Sequence, residues 1–223
     1  MKIFTKMKKN SFLRLLFITG LVYTFSLIPQ ILMILAYNYE TVKILFYPLL
    51  FSAIAMTWYV GVKLEVLSSP SVAKIKEYVT FENFIKLISA VFMMYLISIA
   101  VNYVLIMLGQ STESSNQERL VSIASKIPIS IFIGAVASAG FFEEIIFRKI
   151  IYDYFSLIDW RYALLGTSCL FSFIHSPNSF ASFIIYLSYG MWLGFIRYKE
   201  NTIISSIAVH TLWNTVITLI IYS

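Results

Sequence analysis

The sequence predicts an all-α, polytopic transmembrane helix bundle of about seven spans, with a functional site inside its C-terminal helices. Three observations carry that expectation. Hydrophobic residues make up 59% of the 223 and charged residues only 13%, whereas soluble domains carry about 25% charge. The apolar residues gather in stretches near the ~20 that cross a bilayer as a helix. The basic residues, finally, fall almost entirely on one side of the segments that those stretches define.

Taken in order, residues 12–37 and 42–61 form the first two expected spans, with Pro29 and Pro48 inside them as expected kinks. Residues 68–86 mix Lys74, Lys76, Glu77 and Glu82 with apolar positions, a pattern that suits an amphipathic helix lying in the interface. A third span follows at 87–108. Residues 109–119 then form the longest outer loop, polar and expected to be mobile. The fourth span is 127–152. The fifth and sixth, 162–175 and 180–196, are short and separated only by Ser176, Pro177, Asn178 and Ser179, so a tight helical hairpin or a partly re-entrant pair is expected. Residues 203–222 complete the bundle.

With the N-terminus inside, Lys2, Lys6, Lys8, Lys9, Arg14, Lys63, Lys74, Lys76, Lys86, Arg148, Lys149, Arg161, Arg197 and Lys199 are cytoplasmic, and only Lys43, Arg119 and Lys126 lie opposite. That bias orients a multi-pass protein of the cell membrane, N-terminus cytoplasmic and, for seven spans, C-terminus outside. The basic N-terminal run abuts an apolar segment and reads as an anchor on anionic lipid; no basic stripe with interleaved aromatics recurs, so nucleic acid is not an expected partner. The first span exceeds a signal-peptide core of about 7–15 residues and lacks a small-residue cleavage site, so it is expected to be retained. The lone Cys169 excludes an intrachain disulfide and a C-x-x-C site, and reads as a packing residue. The chain reads as a single integral membrane domain, 1–223, comprising N-terminal spans over 1–115 and a motif-bearing core over 120–223.

Chemistry concentrates in that core. Glu143 and Glu144 are adjacent in an apolar helix with Arg148 four residues on. A charge at the bilayer centre costs about 2.5–3.5 kcal/mol on insertion scales, so such acids call for partners or a wet cavity unless the helix ends there. Glu144 and Arg148 share a helix face one turn apart. Glu143 points about 100° away and is the freer acid. Only two histidines occur, His175 and His210, both on apolar helices; singly, each would read as a packing residue. His210 and Asn214 are four apart and share a face, and His175 follows Phe171 by four. At 1.5 Å per residue, Glu143 and His175 lie about 18 and 22 Å from the turn near 155–160, while His210 and Asn214 lie about 14 and 20 Å from the start of the last helix. All four therefore occupy one slab of the membrane.

These residues resemble the CPBP family (CAAX protease and bacteriocin-processing, or Abi) of intramembrane endoproteases, of the Rce type and lysostaphin-resistance-like. The family pattern E-E-x-x-x-R, F-x-x-x-H, H-x-x-x-N appears as Glu143-Glu144-x-x-x-Arg148, Phe171-x-x-x-His175 and His210-x-x-x-Asn214, in that order. The resemblance covers roughly residues 132–221; the earlier spans match only as generic membrane helices. It implies an intramembrane endopeptidase in which Glu143 activates water, His175 holds that water or shares the base role, His210 and Asn214 receive the oxyanion as neutral N–H donors, and Glu144 and Arg148 support the site. The residues alone leave the roles of the two glutamates interchangeable. The substrate class would be a membrane-associated peptide or hydrophobic protein terminus, in bacteriocin processing, self-immunity or CaaX-type processing.

Alternatives remain at this level. No cofactor is assigned, but Glu143, His175 and His210 are a His₂-carboxylate set of the kind that binds zinc with an open position; against this, the histidines sit on separate helices and H-E-x-x-H is absent. Gly166-Thr167-Ser168-Cys169 has the look of a serine nucleophile loop, but lies mid-helix. A non-catalytic membrane immunity or regulatory partner is the alternative function, because family membership does not establish cleavage. A transporter or channel would string its charges along a path, whereas here they share one level.

Overall fold

The structure is a computed structural model that describes residues 11–68, 78–112 and 114–223. Its described residues are helical, with no strand among them. Helix α1 is Phe12–Asn38, started by Ser11, whose hydroxyl accepts the Arg14 N–H. Helix α2 is Glu40–Lys63 and α3 is Phe81–Met107, the latter capped by Thr80. A ten-residue helix, α4 (Ser115–Ala124), precedes the long α5 (Ile129–Phe155). Helix α6 (Trp160–Ile174) starts at Asp159, α7 (Phe180–Glu200) at a Ser179–Ser182 capping box, and α8 (Ile203–Tyr222) at Thr202. Each of these caps answers the unpaired N–H groups that a helix start leaves, at a residue type suited to it.

Among the described residues, six helices are long and apolar enough to cross a membrane: α1, α2, α3, α5, α7 and α8. The chain is thus a multi-pass membrane protein. Helix α6 has 15 residues, a rise of about 22 Å. It forms with α7 the hairpin anticipated at 162–196. Helices α1 and α2 run through Pro29 and Pro48 without interruption.

Within the segment 109–119, expected to be a polar loop, the chain is helical from Ser115 onward and Ser114 is buried. Polar residues there conceal an amphipathic turn, because Leu120 and Ile123 pack on the core beside Ala124 and Ile127. The amphipathic helix expected over 68–86 falls largely on 69–77, outside the described residues; Phe81 to Lys86 belong instead to the first turns of α3.

The two ends of the bundle are tied differently. At one, Arg14 Nη2 donates to the Leu64 carbonyl at 2.5 Å, joining α1 to the end of α2. There too Arg197 pairs with Asp153 at 3.0 Å and Trp160 stacks on Tyr198 at 4.2 Å. At the other end Tyr222 donates its hydroxyl to the Ile127 carbonyl at 2.7 Å. Apolar side chains such as Ile44, Phe51, Phe84 and Phe92 face outward, as a lipid-facing surface requires.

What positions the site is the contact of α5 with α8. A Cβ built on Gly140 would lie 2.8 Å from Thr211 N and 3.1 Å from the His210 carbonyl carbon, so only glycine lets α8 approach this closely. Gly140→Val is expected to push α8 away and destabilise the protein by about 1–3 kcal/mol, read as a lowered thermal midpoint in detergent; an unchanged midpoint would show that the crossing tolerates a side chain.

Candidate active site

The site begins with a change of helix type. Helix α5 is α-helical to Glu144, π-helical over Ile145–Ile151 and α-helical again over Tyr152–Phe155. Such π segments re-aim side chains and leave carbonyls open to other donors. Arg197 Nε uses one of them, donating to the Arg148 carbonyl at 3.1 Å. The charged triplet of the first motif thus sits where the helix departs from regular geometry.

Glu144 and Arg148 are both fully buried and pair at 3.2 Å. The guanidinium also donates from Nη2 to the Gly190 carbonyl at 3.1 Å and lies 4.5 Å from the Phe171 ring centroid. Gly190 permits this because α6 and α7 touch there: a Cβ on it would stand 3.0 Å from Ser168 Cα. The carboxylate in turn lies 2.9 Å from His210 Nδ1. One ion pair therefore connects α5 to α6, α7 and α8.

Glu143 points elsewhere, into a cavity of about 490 Å³ that it lines with His175, His210, Asn214, Tyr186 and Phe171. Its Oε2 is buried without a hydrogen-bond partner. That oxygen lies 4.0 Å from His175 Nε2 and 3.9 Å from His210 Nε2. Three helices thus bring together the acid and both histidines that share one membrane slab in the sequence. Asn214 lines the same cavity and donates from Nδ2 to the Val136 carbonyl at 3.0 Å.

The tautomers follow from the partners. His175 Nδ1 is 2.7 Å from the Phe171 carbonyl, which only accepts, so Nδ1 carries the proton. His210 Nδ1 faces Glu144, a carboxylate beside Arg148, and likewise donates. In its neutral form each imidazole turns a bare Nε2 lone pair toward Glu143. In that form His210 has no N–H left for the cavity, while the second amide hydrogen of Asn214 is not used in the Val136 bond.

The other sequence candidates fare differently. Ser168 is buried and donates to the Leu164 carbonyl at 2.7 Å, and Thr167 donates to that of Ala163 at 2.7 Å; neither hydroxyl is presented as a nucleophile. Among the described residues, no three His, Cys, Asp or Glu side chains are grouped so as to hold a metal ion. Sequence reasoning passed over Tyr186, Ser114, Asn116 and Gly140. Gly140 stands three residues before Glu143 with no turn to explain it, and was the one legible signal among them.

Fold and site together define a helical intramembrane protein with a carboxylate and two histidines converging inside its C-terminal helices. The motif-bearing region, residues 125–216, matches the family described as type II CAAX prenyl endopeptidase, Rce1-like, and this match contains all three motifs. The chain is also similar to the UPF0177 protein YvdC of Lactococcus lactis subsp. lactis (strain IL1403), 28% identical over 130 residues, which are 58% of this chain. The match covers 50% of that relative, so the chain spans about half the length of the curated protein it matches. No solved structure matches it.

Removing one partner of the buried pair is the direct test of its role. Arg148→Met leaves Glu144 an uncompensated buried carboxylate and is expected to cost about 3–5 kcal/mol, measured by thermal unfolding in detergent. Adding Glu144→Leu to it should restore part of that stability; a single variant as stable as the parent would show that the pair carries no structural weight.

Proposed function

We propose that the protein is an intramembrane endopeptidase that hydrolyses a peptide bond of a membrane-associated peptide or hydrophobic protein terminus with water activated by Glu143. The observation that carries this reading is the convergence of Glu143 Oε2 with the Nε2 atoms of His175 and His210, at 4.0 and 3.9 Å; with both rings neutral these are three acceptors and no donor. Acceptors so placed attract a molecule with two hydrogens to give. A water bound at about 2.8 Å to two acceptors 3.9–4.0 Å apart would subtend about 90°, near the angle between its own O–H bonds. Held this way by its hydrogens, it turns a lone pair outward.

In the resulting mechanism a substrate carbonyl enters beside this water. The water oxygen attacks the carbonyl carbon while Glu143 takes its proton, and His175 and His210 hold the remaining hydrogen and fix the angle of attack. The oxyanion that develops faces the second N–H of Asn214. Collapse breaks the C–N bond, and Glu143 returns the proton to the leaving amine. Glu144 and Arg148 act behind this, holding His210 in the tautomer that accepts. Residues 120–223 constitute the catalytic core and the helices of 1–115 wall its cavity, with Gln30 and Met33 of α1 and Asn102 of α3 on the lining. The distribution of bases supports an N-terminus on the cytoplasmic side.

The test is comparative peptidomics of cells expressing the parent chain or Glu143→Gln. Peptides produced by the parent should vanish with Glu143→Gln and with His175→Ala, with membrane insertion and expression unaffected. Protection or signalling that survives both substitutions would instead establish a non-catalytic partner protein. Cleavage by the purified protein is expected to persist in chelator; activity lost to chelation and restored by zinc would overturn metal-independent catalysis.

A further inference from the structure

Tyr186 belongs to none of the three motifs, yet it touches the site from two directions. Its ring stacks on His175, centroids 4.3 Å apart and planes 18° apart. The imidazole is thereby held between Tyr186 and Phe171, whose centroid is 4.5 Å away on the same helix turn. Its hydroxyl is taken up by the start of α4. Asn116 Nδ2 donates to the phenol oxygen at 3.1 Å, and Ser114 Oγ lies 3.1 Å from it. With Asn116 as donor, the phenol proton is left to bond Ser114.

A third bond makes the same connection from the backbone. Ser115 Oγ donates to the Ser176 carbonyl at 2.8 Å. Ser176 follows His175 directly and adopts the left-handed region, φ 51°, which turns this peptide out of the helix path. The first residues of α4 thus grip both the ring that packs on His175 and the peptide that follows it. Asn116, Gln117 and Arg119 of α4 then line the cavity above Glu143.

We propose that Tyr186 is a positioning residue for His175 and that α4 is a cover over the polar mouth of the cavity, latched to the site through Tyr186 and Ser176. Opening the cover to admit a peptide breaks the bonds that α4 makes to Tyr186, and reclosing restores the ring face against which His175 is aligned. Access and alignment are in this way coupled. The role given to His175 rests on the protease reading; the latch itself does not. Three hydrogen bonds between neutral groups are of a strength that local opening on the microsecond-to-millisecond scale can break.

The test uses the full chain in detergent, with Cys169→Ser removing the native thiol and Ala139→Cys placing a probe on the cavity wall. Modification of that thiol by a water-soluble methanethiosulfonate should speed up by about tenfold in Tyr186→Phe and again in Ser114→Ala with Asn116→Ala, since each removes bonds that hold the cover. In parallel, ¹⁵N-labelled histidine side chains report alignment; the chain has only two histidines, and His175→Gln identifies the relevant signals. The His175 titration should match the parent in Tyr186→Phe, which keeps the ring, and shift in Tyr186→Leu, which does not. Unaltered thiol rates in Tyr186→Phe and in the α4 double variant overturn the latch, and an unmoved titration in Tyr186→Leu overturns the positioning role. Should Tyr186→Leu fail to fold, Ser114→Ala with Asn116→Ala still decides the latch, and Tyr186→Trp, which restores a ring face, decides the positioning by returning the parent titration or not. Cleavage measured on the same proteins separates the two readings: responses of the latch without any cleavage by the parent strike the protease reading alone, and cleavage with a silent latch strikes this inference alone.

Discussion

The buried pair of Glu144 and Arg148 holds four helices in register. Alone, either charge in the membrane interior would be unfavourable by several kcal/mol. Together they neutralise each other at 3.2 Å, and each still has a further partner: the Gly190 carbonyl and the Phe171 ring for the guanidinium, His210 for the carboxylate. Because these partners lie on α6, α7 and α8, burying the pair requires those helices to stand where they do. The same pair also sets the chemistry, since a carboxylate at His210 Nδ1 determines which nitrogen of that ring faces Glu143.

Such an arrangement needs helices that approach closely and a backbone that departs from regular pitch. Gly140 and Gly190 supply the first, each at a crossing where a Cβ would meet the backbone of the neighbouring helix. The π segment at Ile145–Ile151 supplies the second. It lies between the acids and the ion pair of Asp153 with Arg197, and through the Arg148 carbonyl it is bonded to Arg197. Strain or movement at one end of α5 is therefore connected to the site by hydrogen-bonded groups rather than by side-chain packing alone.

The similarity to Rce1-like endopeptidases covers residues 125–216, whereas the cavity is walled in part by residues before it. Gln30, Met33, Asn102 and the polar turn of α4 all contribute lining. The titratable side chains that converge in the cavity and part of the wall around them thus come from different parts of the chain.

Much of this was legible in the sequence because the membrane makes composition informative. Where lipid excludes polar groups, the helices announce themselves as apolar runs, and Glu143, Glu144, Arg148, His175 and His210 stand out as exceptions; helical spacing even places Glu144 opposite Arg148 and Glu143 apart from them. Residue spacing along one helix cannot say which rotation a neighbouring helix adopts, and that rotation decided the rest. It gave His210 Nδ1 to Glu144 and left Nε2 facing Glu143. Tyr186 and the start of α4 were hidden for the same reason: one is an ordinary aromatic on an apolar helix, the other an ordinary polar turn, and only their contact across 70 residues of chain, Asn116 to Tyr186, gives either a role beside His175.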